Sequence, residues 1–319
     1  MTLQRKEKLV VIVGPTAVGK TDLSLELAEQ FDGEVISGDS MQVYRGMDIG
    51  TAKASPQDLA RVPHHLIDII EPSEEYSVAQ FQESATRLIT QINQRGRLPF
   101  IVGGTGLYIE SVTHRFQFSQ SPQDPELRDR LQRLADTEGV EALHARLANV
   151  DPITAERLHP NDVKRVIRAL EVYESSGYKM SDFQLRAKQS PYDLVMIGLT
   201  MEREKLYERI NHRVDLMIEA GLVEEVRRLL DQGLDASLVS MQGLGYKEVI
   251  PYLYGEITLE KAVNDIKQRT RHFAKRQLSW FRRMSEIEWF DMTDPANKPQ
   301  VEQTIKHILA GKFQQLPNI

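Results

Sequence analysis

The sequence contains no cysteine, and this absence excludes several kinds of site at once. Without thiols the chain can form no disulfide, no thiolate zinc site and no cysteine nucleophile. Long hydrophobic runs are also lacking, because the longest aliphatic run, residues 9–13, has five residues, whereas a helix needs about 20 to span a bilayer. No small-residue cleavage site follows the basic N-terminus, so we expect no secretory signal. These features predict a cytoplasmic protein that does not associate with membranes.

Positive charge is concentrated in one segment of an acidic chain. The 40 Lys and Arg residues against 46 Asp and Glu residues give a net charge of −6, which argues against a dedicated nucleic-acid binder. Residues 267–283, termed the basic tract below, nevertheless contain no acidic residue. Their cations are Lys267, Arg269, Arg271, Lys275, Arg276, Arg282 and Arg283. Such a segment indicates a localised site for a polyanion, although a solvated helix face would give the same pattern.

Strand-like and helix-like patterns alternate over the first hundred residues. Short apolar runs at 8–13, 34–36, 65–70 and 98–102 predict strands, and the amphipathic pattern at 78–92 predicts a helix between them. This alternation favours an α/β fold, with a phosphate-loop (P-loop) core in which helices flank a mostly parallel sheet.

The pattern changes near residue 116, where a polar, proline-containing stretch is followed by helical patterns without strands until 193–199. We predict an all-helical insertion domain at 116–190 within a catalytic core formed by 1–115 and 191–319. Further helices are expected near 202–219, 222–232, 258–284 and 299–309.

One segment fits a phosphate-binding pattern. Residues 14–21, GPTAVGKT, match G-x-x-x-x-G-K-[ST] at every fixed position, directly after a predicted strand and before a helix. The glycines let backbone N–H groups point at one phosphate, and the helix N-terminus adds positive potential. Lys20 supplies a mobile cation, and the Thr21 hydroxyl is placed to bind Mg²⁺. We therefore predict a di- or triphosphate site made by Gly14, Pro15, Thr16, Ala17, Val18, Gly19, Lys20 and Thr21.

The signatures of switches and motors are lacking. No N-K-x-D sequence is present for guanine recognition. The strand at 98–102 ends in glycines and not in an aspartate that would hold Mg²⁺, and Asp68 is only a weak candidate for that role. The chain is therefore interpreted as a small phosphoryl-handling enzyme.

Seven segments, in chain order and over nearly the full length, resemble the tRNA dimethylallyltransferases (tRNA isopentenyltransferases) of bacterial type. They are GPTAVGKT at 14–21, SGDSMQVYRGMDIGTAK at 37–53, PHHLIDI at 63–69, GGTGLY at 103–108, HPNDVKRVIRALEV at 159–172, GLGYKE at 243–248 and RTRHFAKRQLSWFRR at 269–283. The resemblance implies transfer of a dimethylallyl group from dimethylallyl diphosphate to N6 of adenine 37 in tRNA. The products are N6-dimethylallyladenosine and diphosphate, and Mg²⁺ is the implied cofactor.

The resemblance and the chemistry of this reaction assign catalytic roles. Because N6 becomes acidic as it bonds to carbon, a proton acceptor is needed, and we assign Asp39, although a turn or helix-capping aspartate is the alternative. Lys20 and Arg213 are assigned to the departing diphosphate, but the spacing does not separate Arg213 from Arg209, four residues earlier on the same face. Thr105 is expected to bond the diphosphate or to cap the following helix.

The same resemblance implies contacts with tRNA, in particular with the anticodon stem-loop, by a monomer. The target base must be flipped out of its stack to reach the cleft, and Gln42 is expected to read an adenine edge through its amide. For Val166 and Ile167 a place in a helix core is the alternative. The implied tRNA contacts are Asp39, Ser40, Met41, Gln42, Thr105, Arg128, Lys164, Arg165, Val166, Ile167, Arg168, Gly245, Tyr246, Lys247, Arg271, Lys275 and Arg276.

Two other classes of function fit parts of the sequence. A nucleoside or small-metabolite kinase would share the phosphate loop and the aspartate after the second strand, but it would leave the basic tract unexplained. A non-catalytic RNA-binding protein would use the basic tract and leave the complete phosphate loop without a role.

Overall fold

The computed structural model describes residues 6–118, 124–183 and 189–314. The chain divides into two compact units. Residues 1–113 together with 190–319 form the first, termed the core unit, and residues 114–189 form the second, termed the helical unit.

One parallel sheet lies in the core unit. In the described residues its strands are β1 (Lys8–Val13), β2 (Gly33–Ser37), β3 (His64–His65), β4 (Leu98–Gly103), β5 (Asp193–Thr200) and β6 (Ile287–Asp291). Their order in the sheet is β3-β2-β4-β1-β5-β6, and every neighbouring pair is parallel. The predicted α/β fold with a parallel sheet is therefore confirmed.

Helices account for most of the remaining structure. In chain order they are α1 (Lys20–Gln30), α2 (Pro56–Arg61), α3 (Val78–Gln94), α4 (Gly106–Thr113), α5 (Pro125–Glu138), α6 (Val140–Val150), α7 (Pro152–Arg157), α8 (Val163–Ser176), α9 (Arg203–Glu219), α10 (Leu222–Asp231), α11 (Tyr246–Leu253), α12 (Leu259–Phe281) and α13 (Lys298–Phe313). Helices α5 to α8 belong to the helical unit. No helix in the described ranges is long and apolar enough to cross a membrane.

The sequence of β1 explains why both faces of the sheet are covered. Its side chains alternate between two hydrophobic clusters, with Val10 and Ile12 in one and Leu9 and Val11 in the other. Successive residues of a strand point to opposite faces, and a parallel strand packed on both faces is apolar throughout. The five residues of β1 after Lys8 are accordingly all buried.

The third strand is shorter than predicted. A strand was expected over 65–70, but β3 contains only His64 and His65. Leu66 and Asp68 both adopt left-handed backbone conformations, with φ of 61° and 54°. Because a strand requires extended backbone, these two residues end the pairing.

Candidate active site

Three loops meet at one edge of the sheet. Strands β1, β4 and β2 are neighbours, with Val13 paired to Gly103 and Val102 paired to Ser37. Because parallel strands end at the same edge, the segments that follow them converge there, which is where open α/β sheets bind ligands. These segments are the phosphate loop, the turn containing Asp39, and the turn at 104–105. They line a cavity of about 890 Å³ together with parts of α9, α12 and the segment 242–247.

The phosphate loop closes around the Lys20 side chain. Gly19 has a φ of 107°, a conformation that residues with a Cβ rarely adopt, and α1 begins directly after it. The ammonium of Lys20 donates hydrogen bonds to the carbonyls of Gly14 at 3.0 Å and Pro15 at 2.7 Å. Burial is the main cause that lowers the pKa of Lys20 to about 7, and the positive charge of the nearby Arg213 adds to this shift. The negative charge of Asp39 partly opposes it. The ammonium therefore lies among the predicted diphosphate-binding residues, ready for an anionic ligand.

Asp39 lies on the same cavity as Lys20 and Arg213. Its Oδ1 accepts a hydrogen bond from the Met41 backbone N–H at 2.8 Å, so the aspartate also shapes its own turn. Burial raises the pKa of this carboxyl above its usual range, and the backbone hydrogen bonds and the two cations only partly offset that effect. A carboxylate with a raised pKa is a stronger proton acceptor. The turn and the acid–base interpretations of Asp39 are thus compatible.

The Thr105 side chain reaches across to the Asp39 turn. Its Oγ1 accepts a hydrogen bond from the Ser40 backbone N–H at 3.1 Å and lies 3.4 Å from the Ser40 hydroxyl. The bonds at the start of α4 come instead from its backbone carbonyl, which accepts from Tyr108 and Ile109. The side chain therefore joins the two loops on either side of the cavity floor.

The structure separates the two candidate arginines on α9. Arg209 is exposed at the cavity rim, whereas Arg213 is partly buried and interacts electrostatically with Lys20, Asp39 and Asp22. Burial lowers the pKa of Arg213, and the two carboxylates oppose that shift. This position favours Arg213 as the arginine that holds an anion next to Lys20.

The amide of Gln42, the expected reader of an adenine edge, makes several hydrogen bonds within the protein. Its Oε1 accepts from the Ser37 hydroxyl at 2.8 Å, and its Nε2 is 3.3 Å from both the Thr51 and Ala52 carbonyls. Both amide hydrogens are therefore used within the protein, which leaves only one Oε1 lone pair for a base. The amide instead ties the end of β2 to the loop at 48–52.

A buried carboxylate that the sequence analysis missed holds this loop. Glu225 on α10 is 4% exposed and accepts hydrogen bonds from the backbone N–H groups of Asp48, Ile49 and Gly50 at 3.0–3.2 Å. It also accepts from the Tyr246 hydroxyl at 2.6 Å. The side chain of the predicted tRNA contact Tyr246 is fully buried and anchors the loop through this hydrogen bond. Gly245, Tyr246 and Lys247 all line the cavity.

Most of the basic tract lies in α12, which ends at Phe281, so Arg282 and Arg283 follow the helix. Two cations of the basic tract contact α9: Lys267 pairs with Asp215 at 2.6 Å, and Arg271 donates a hydrogen bond to Asn211 at 2.6 Å. A third, Arg269, lies 3.5 Å from Glu248 of α11. Three cations of the basic tract therefore contact two neighbouring helices, α9 and α11. Of the predicted tRNA contacts here, Arg276 lines the cavity and Lys275 is exposed.

Two of the predicted tRNA contacts in the helical unit share a buried acid. Glu171 on α8 is fully buried and pairs with Arg128 at 2.9 Å and Arg168 at 2.6 Å. Burial alone would raise the pKa of Glu171, but the hydrogen bonds from the two arginines outweigh burial and lower it. Both guanidinium groups remain about one-third exposed, so the carboxylate holds them in place at the surface.

For two residues of α8 the structure favours the helix-core alternative. The side chains of Val166 and Ile167 are 0% and 6% exposed in the core of the helical unit, with Leu131 and Leu147 in the same cluster. The helical period turns these apolar residues inward and leaves Lys164 and Arg165 exposed on the other side of the same turn. The side chains of Val166 and Ile167 therefore belong to the helix core.

The cavity offers few ligands for a metal ion. The described residues include no group of three or more His, Cys, Asp or Glu side chains that could hold one. Thr21 and Asp22 are exposed at the cavity, next to Lys20. This donor set fits Mg²⁺, which typically keeps several waters and binds few protein groups together with substrate phosphates.

A phosphate loop, a partly buried carboxylate and a partly buried arginine around one cavity are typical of an enzyme that acts on a phosphorylated substrate. A model of the IPP transferase family matches residues 42–284. The chain is 52% identical to the tRNA dimethylallyltransferase of Halalkalibacterium halodurans over 313 residues, which is 97% of this chain and 99% of that relative. It is 49% identical to the tRNA dimethylallyltransferase of Bacillus subtilis over 310 residues, covering 97% and 98% of the two chains.

Solved structures give the same result. The full-length tRNA isopentenylpyrophosphate transferase from Bacillus halodurans matches with a TM-score of 0.72 and 52% identity over 97% of this chain and 99% of that one. A eukaryotic dimethylallyltransferase acting on tRNA matches with a TM-score of 0.84 and 30% identity over 98% of this chain and 81% of that one. The chain belongs to the tRNA dimethylallyltransferase family, and the resemblance seen in the sequence is confirmed.

Proposed function

We propose that this protein transfers the dimethylallyl group of dimethylallyl diphosphate to N6 of adenine 37, next to the anticodon of tRNA. The observation that supports this most directly is the meeting of Asp39, Lys20 and Arg213 around one cavity at the sheet edge. The comparisons with known proteins give the kinase alternative no support.

In the proposed reaction N6 attacks the allylic carbon, and the bond from that carbon to the diphosphate oxygen breaks. Asp39 accepts the proton that N6 releases, and diphosphate leaves with the bonding electron pair. Lys20 and Arg213 stabilise the negative charge that grows on the leaving group. The Thr21 hydroxyl would hold Mg²⁺, which would supply Lewis-acid stabilisation of this charge when bound.

The tRNA is proposed to bind through its anticodon stem-loop. Arg128 and Arg168, together with the exposed Lys164, Arg165 and Lys275, are candidates for phosphate contacts because each presents a cation at the surface. We also propose that the protein acts in the cytoplasm as a monomer, as the family resemblance implies.

The proposed function is tested by incubating the protein with unmodified tRNA, Mg²⁺ and dimethylallyl diphosphate labelled in the allyl group. We expect label in tRNA, at adenine 37, and release of diphosphate. Lys20→Ala is the matched negative control. A parallel assay for γ-phosphate transfer from ATP to nucleosides tests the kinase class. Phosphate transfer without allyl transfer would contradict the proposal.

A further inference from the structure

One buried amide on α12 connects the two loops that form the cavity floor. Gln277 is 6% exposed, although it lies within the basic tract. Its Oε1 accepts a hydrogen bond from the Thr16 backbone N–H in the phosphate loop at 2.9 Å. Its Nε2 donates to the Gly104 carbonyl at 3.0 Å. A single side chain therefore spans the gap between the loop after β1 and the turn after β4.

The contacts continue from this amide to the proposed proton acceptor. Gly104 is followed by Thr105, whose hydroxyl oxygen accepts from the Ser40 backbone N–H, and Ser40 follows Asp39. Thr16 belongs to the loop in which the Lys20 ammonium is held. Gln277 is thus in contact with the proposed diphosphate side of the cavity and with the proposed proton-accepting side.

The fit around this amide is tight. A Cβ placed on Gly104 would lie 2.0 Å from Gln277 Nε2, which is far closer than any real contact. Apart from the chain neighbours of Gly104, the next nearest residue to this Cβ position is Gly14, whose carbonyl oxygen would be at an ordinary 3.7 Å. Nearby, a Cβ on Gly106 would lie 2.4 Å from the Trp280 ring, one helical turn after Gln277. Helix α12 therefore packs directly against the turn at 104–106, and the amide is the polar link within that contact.

We propose that Gln277 is a positioning residue that fixes the spacing between the diphosphate loop and the Asp39–Thr105 side of the cavity. This role rests on the proposed function, because the spacing matters where the allylic carbon must be aligned with N6. Gln277 touches neither reacting atom in this role and acts through the Thr16 amide and the Gly104 carbonyl. A misplacement of about 1 Å can slow a reaction about 10²-fold.

The first test is Gln277→Met, which keeps the length of the side chain and loses both hydrogen bonds. The control is Gln91→Met, an exposed glutamine on α3 that does not line the cavity. With both substrates saturating, we expect single-turnover transfer to slow by about 10- to 100-fold in Gln277→Met and to stay unchanged in the control. The affinity for inorganic pyrophosphate, measured by calorimetry, should stay within about threefold of the parent in both.

Two results would overturn the role of Gln277. One is a Gln277→Met rate within about threefold of the parent. The other is a loss of pyrophosphate binding and of thermal stability together with the rate, because that pattern indicates a structural role only. If the parent itself transfers no dimethylallyl group, the proposed function fails and the positioning role falls with it.

A second test uses the steric contact and does not depend on how Gln277→Met folds. Gly104→Ala should slow transfer by about tenfold or more, because its methyl group must displace the Gln277 amide. In a Gln277→Ala background, which lacks that amide, adding Gly104→Ala should lower the transfer rate by less than about a further twofold. If the two rate losses multiply instead, Gly104 does not act through Gln277, and the proposal is wrong.

Discussion

At the scale of single residues, burial shifts the two central titrating groups of the cavity in opposite senses. It raises the pKa of Asp39 and lowers the pKa of Lys20 to about 7, so in each case the charged form is disfavoured before a ligand arrives. A bound diphosphate reverses the balance at Lys20, because it favours the ammonium. Ligand binding and protonation of Lys20 are therefore linked.

This linkage predicts how pyrophosphate affinity depends on pH. Since the bound state holds the proton more tightly than the free state, affinity should be greatest below pH 7 and should fall as the pH rises above about 7. Calorimetry at pH 8 in buffers of different ionisation enthalpy should detect proton uptake on binding. Lys20→Met should bind more weakly and take up fewer protons. Equal proton uptake in parent and variant would show that Lys20 is not the titrating group.

The residues of this site divide sharply into those that the sequence predicted and those that it did not. The phosphate loop, Asp39 and Thr105 stand in contiguous motifs, so the sequence alone was enough to find them. Glu225 and Gln277 bond the backbone of loops at least 173 positions away, and no local pattern marks either residue. The choice between Arg209 and Arg213 likewise required burial, which spacing on a helix does not give.

At the scale of elements, the loop at 48–52 depends on α10. Glu225 satisfies three backbone N–H groups of this loop, and the loop carbonyls in turn hold the Gln42 amide. Loss of an acceptor costs about 1–3 kcal/mol for each fully buried donor, and less for donors that are partly buried, as these are. The loop is therefore expected to be one of the most mutation-sensitive parts of the core unit.

Glu225→Gln tests this dependence. Both carboxylate oxygens of Glu225 accept from backbone N–H groups, and the substitution replaces one of them with an NH₂ donor. We expect the melting temperature to fall by about 2 °C or more, since each kcal/mol shifts a folding unit of roughly 150–250 residues by about 2–4 °C. Glu224→Gln is the matched control, as Glu224 precedes it on the same helix and its side chain is 69% exposed. Equal melting temperatures for the two variants would rule out the anchoring role.

The basic tract is also best tested at the scale of its helix. Neutralising the exposed Lys275 by substitution to Gln should weaken tRNA binding and reduce the slope of log K against log salt concentration by up to about 0.9. Lys261→Gln on the same helix, outside the basic tract and paired with Asp265, is the control. A salt slope unchanged from the parent would remove Lys275 from the tRNA surface.

Among the elements, length decided what the sequence could predict. The long amphipathic helices and the apolar strands were found because their periodic patterns extend over many residues. Helix α2 has six residues, and α11 has eight with Pro251 inside it, so neither offers a readable period. The expected strand at 65–70 was mostly lost because left-handed residues interrupt an apolar run.

At the scale of the whole molecule, the proposed division of labour assigns the diphosphate to the core unit and much of the tRNA surface to the helical unit. Replacing residues 114–189 by a short linker should leave pyrophosphate binding within about tenfold of the parent, because the core unit alone supplies the cavity. Transfer to tRNA should be lost with Arg128, Lys164, Arg165 and Arg168. A folded deletion variant that modifies tRNA at the parent rate would contradict this division.

The central claim, that Asp39 accepts the N6 proton, is tested most directly by Asp39→Asn in single-turnover transfer with both substrates saturating. Asparagine keeps the size and polarity of the side chain but cannot take the proton. We predict that the rate falls by about 10²–10⁴-fold, which is roughly 3–5.5 kcal/mol of barrier, while tRNA affinity changes by less than about tenfold. A rate within about threefold of the parent would contradict the claim and leave Asp39 with its turn-forming role alone.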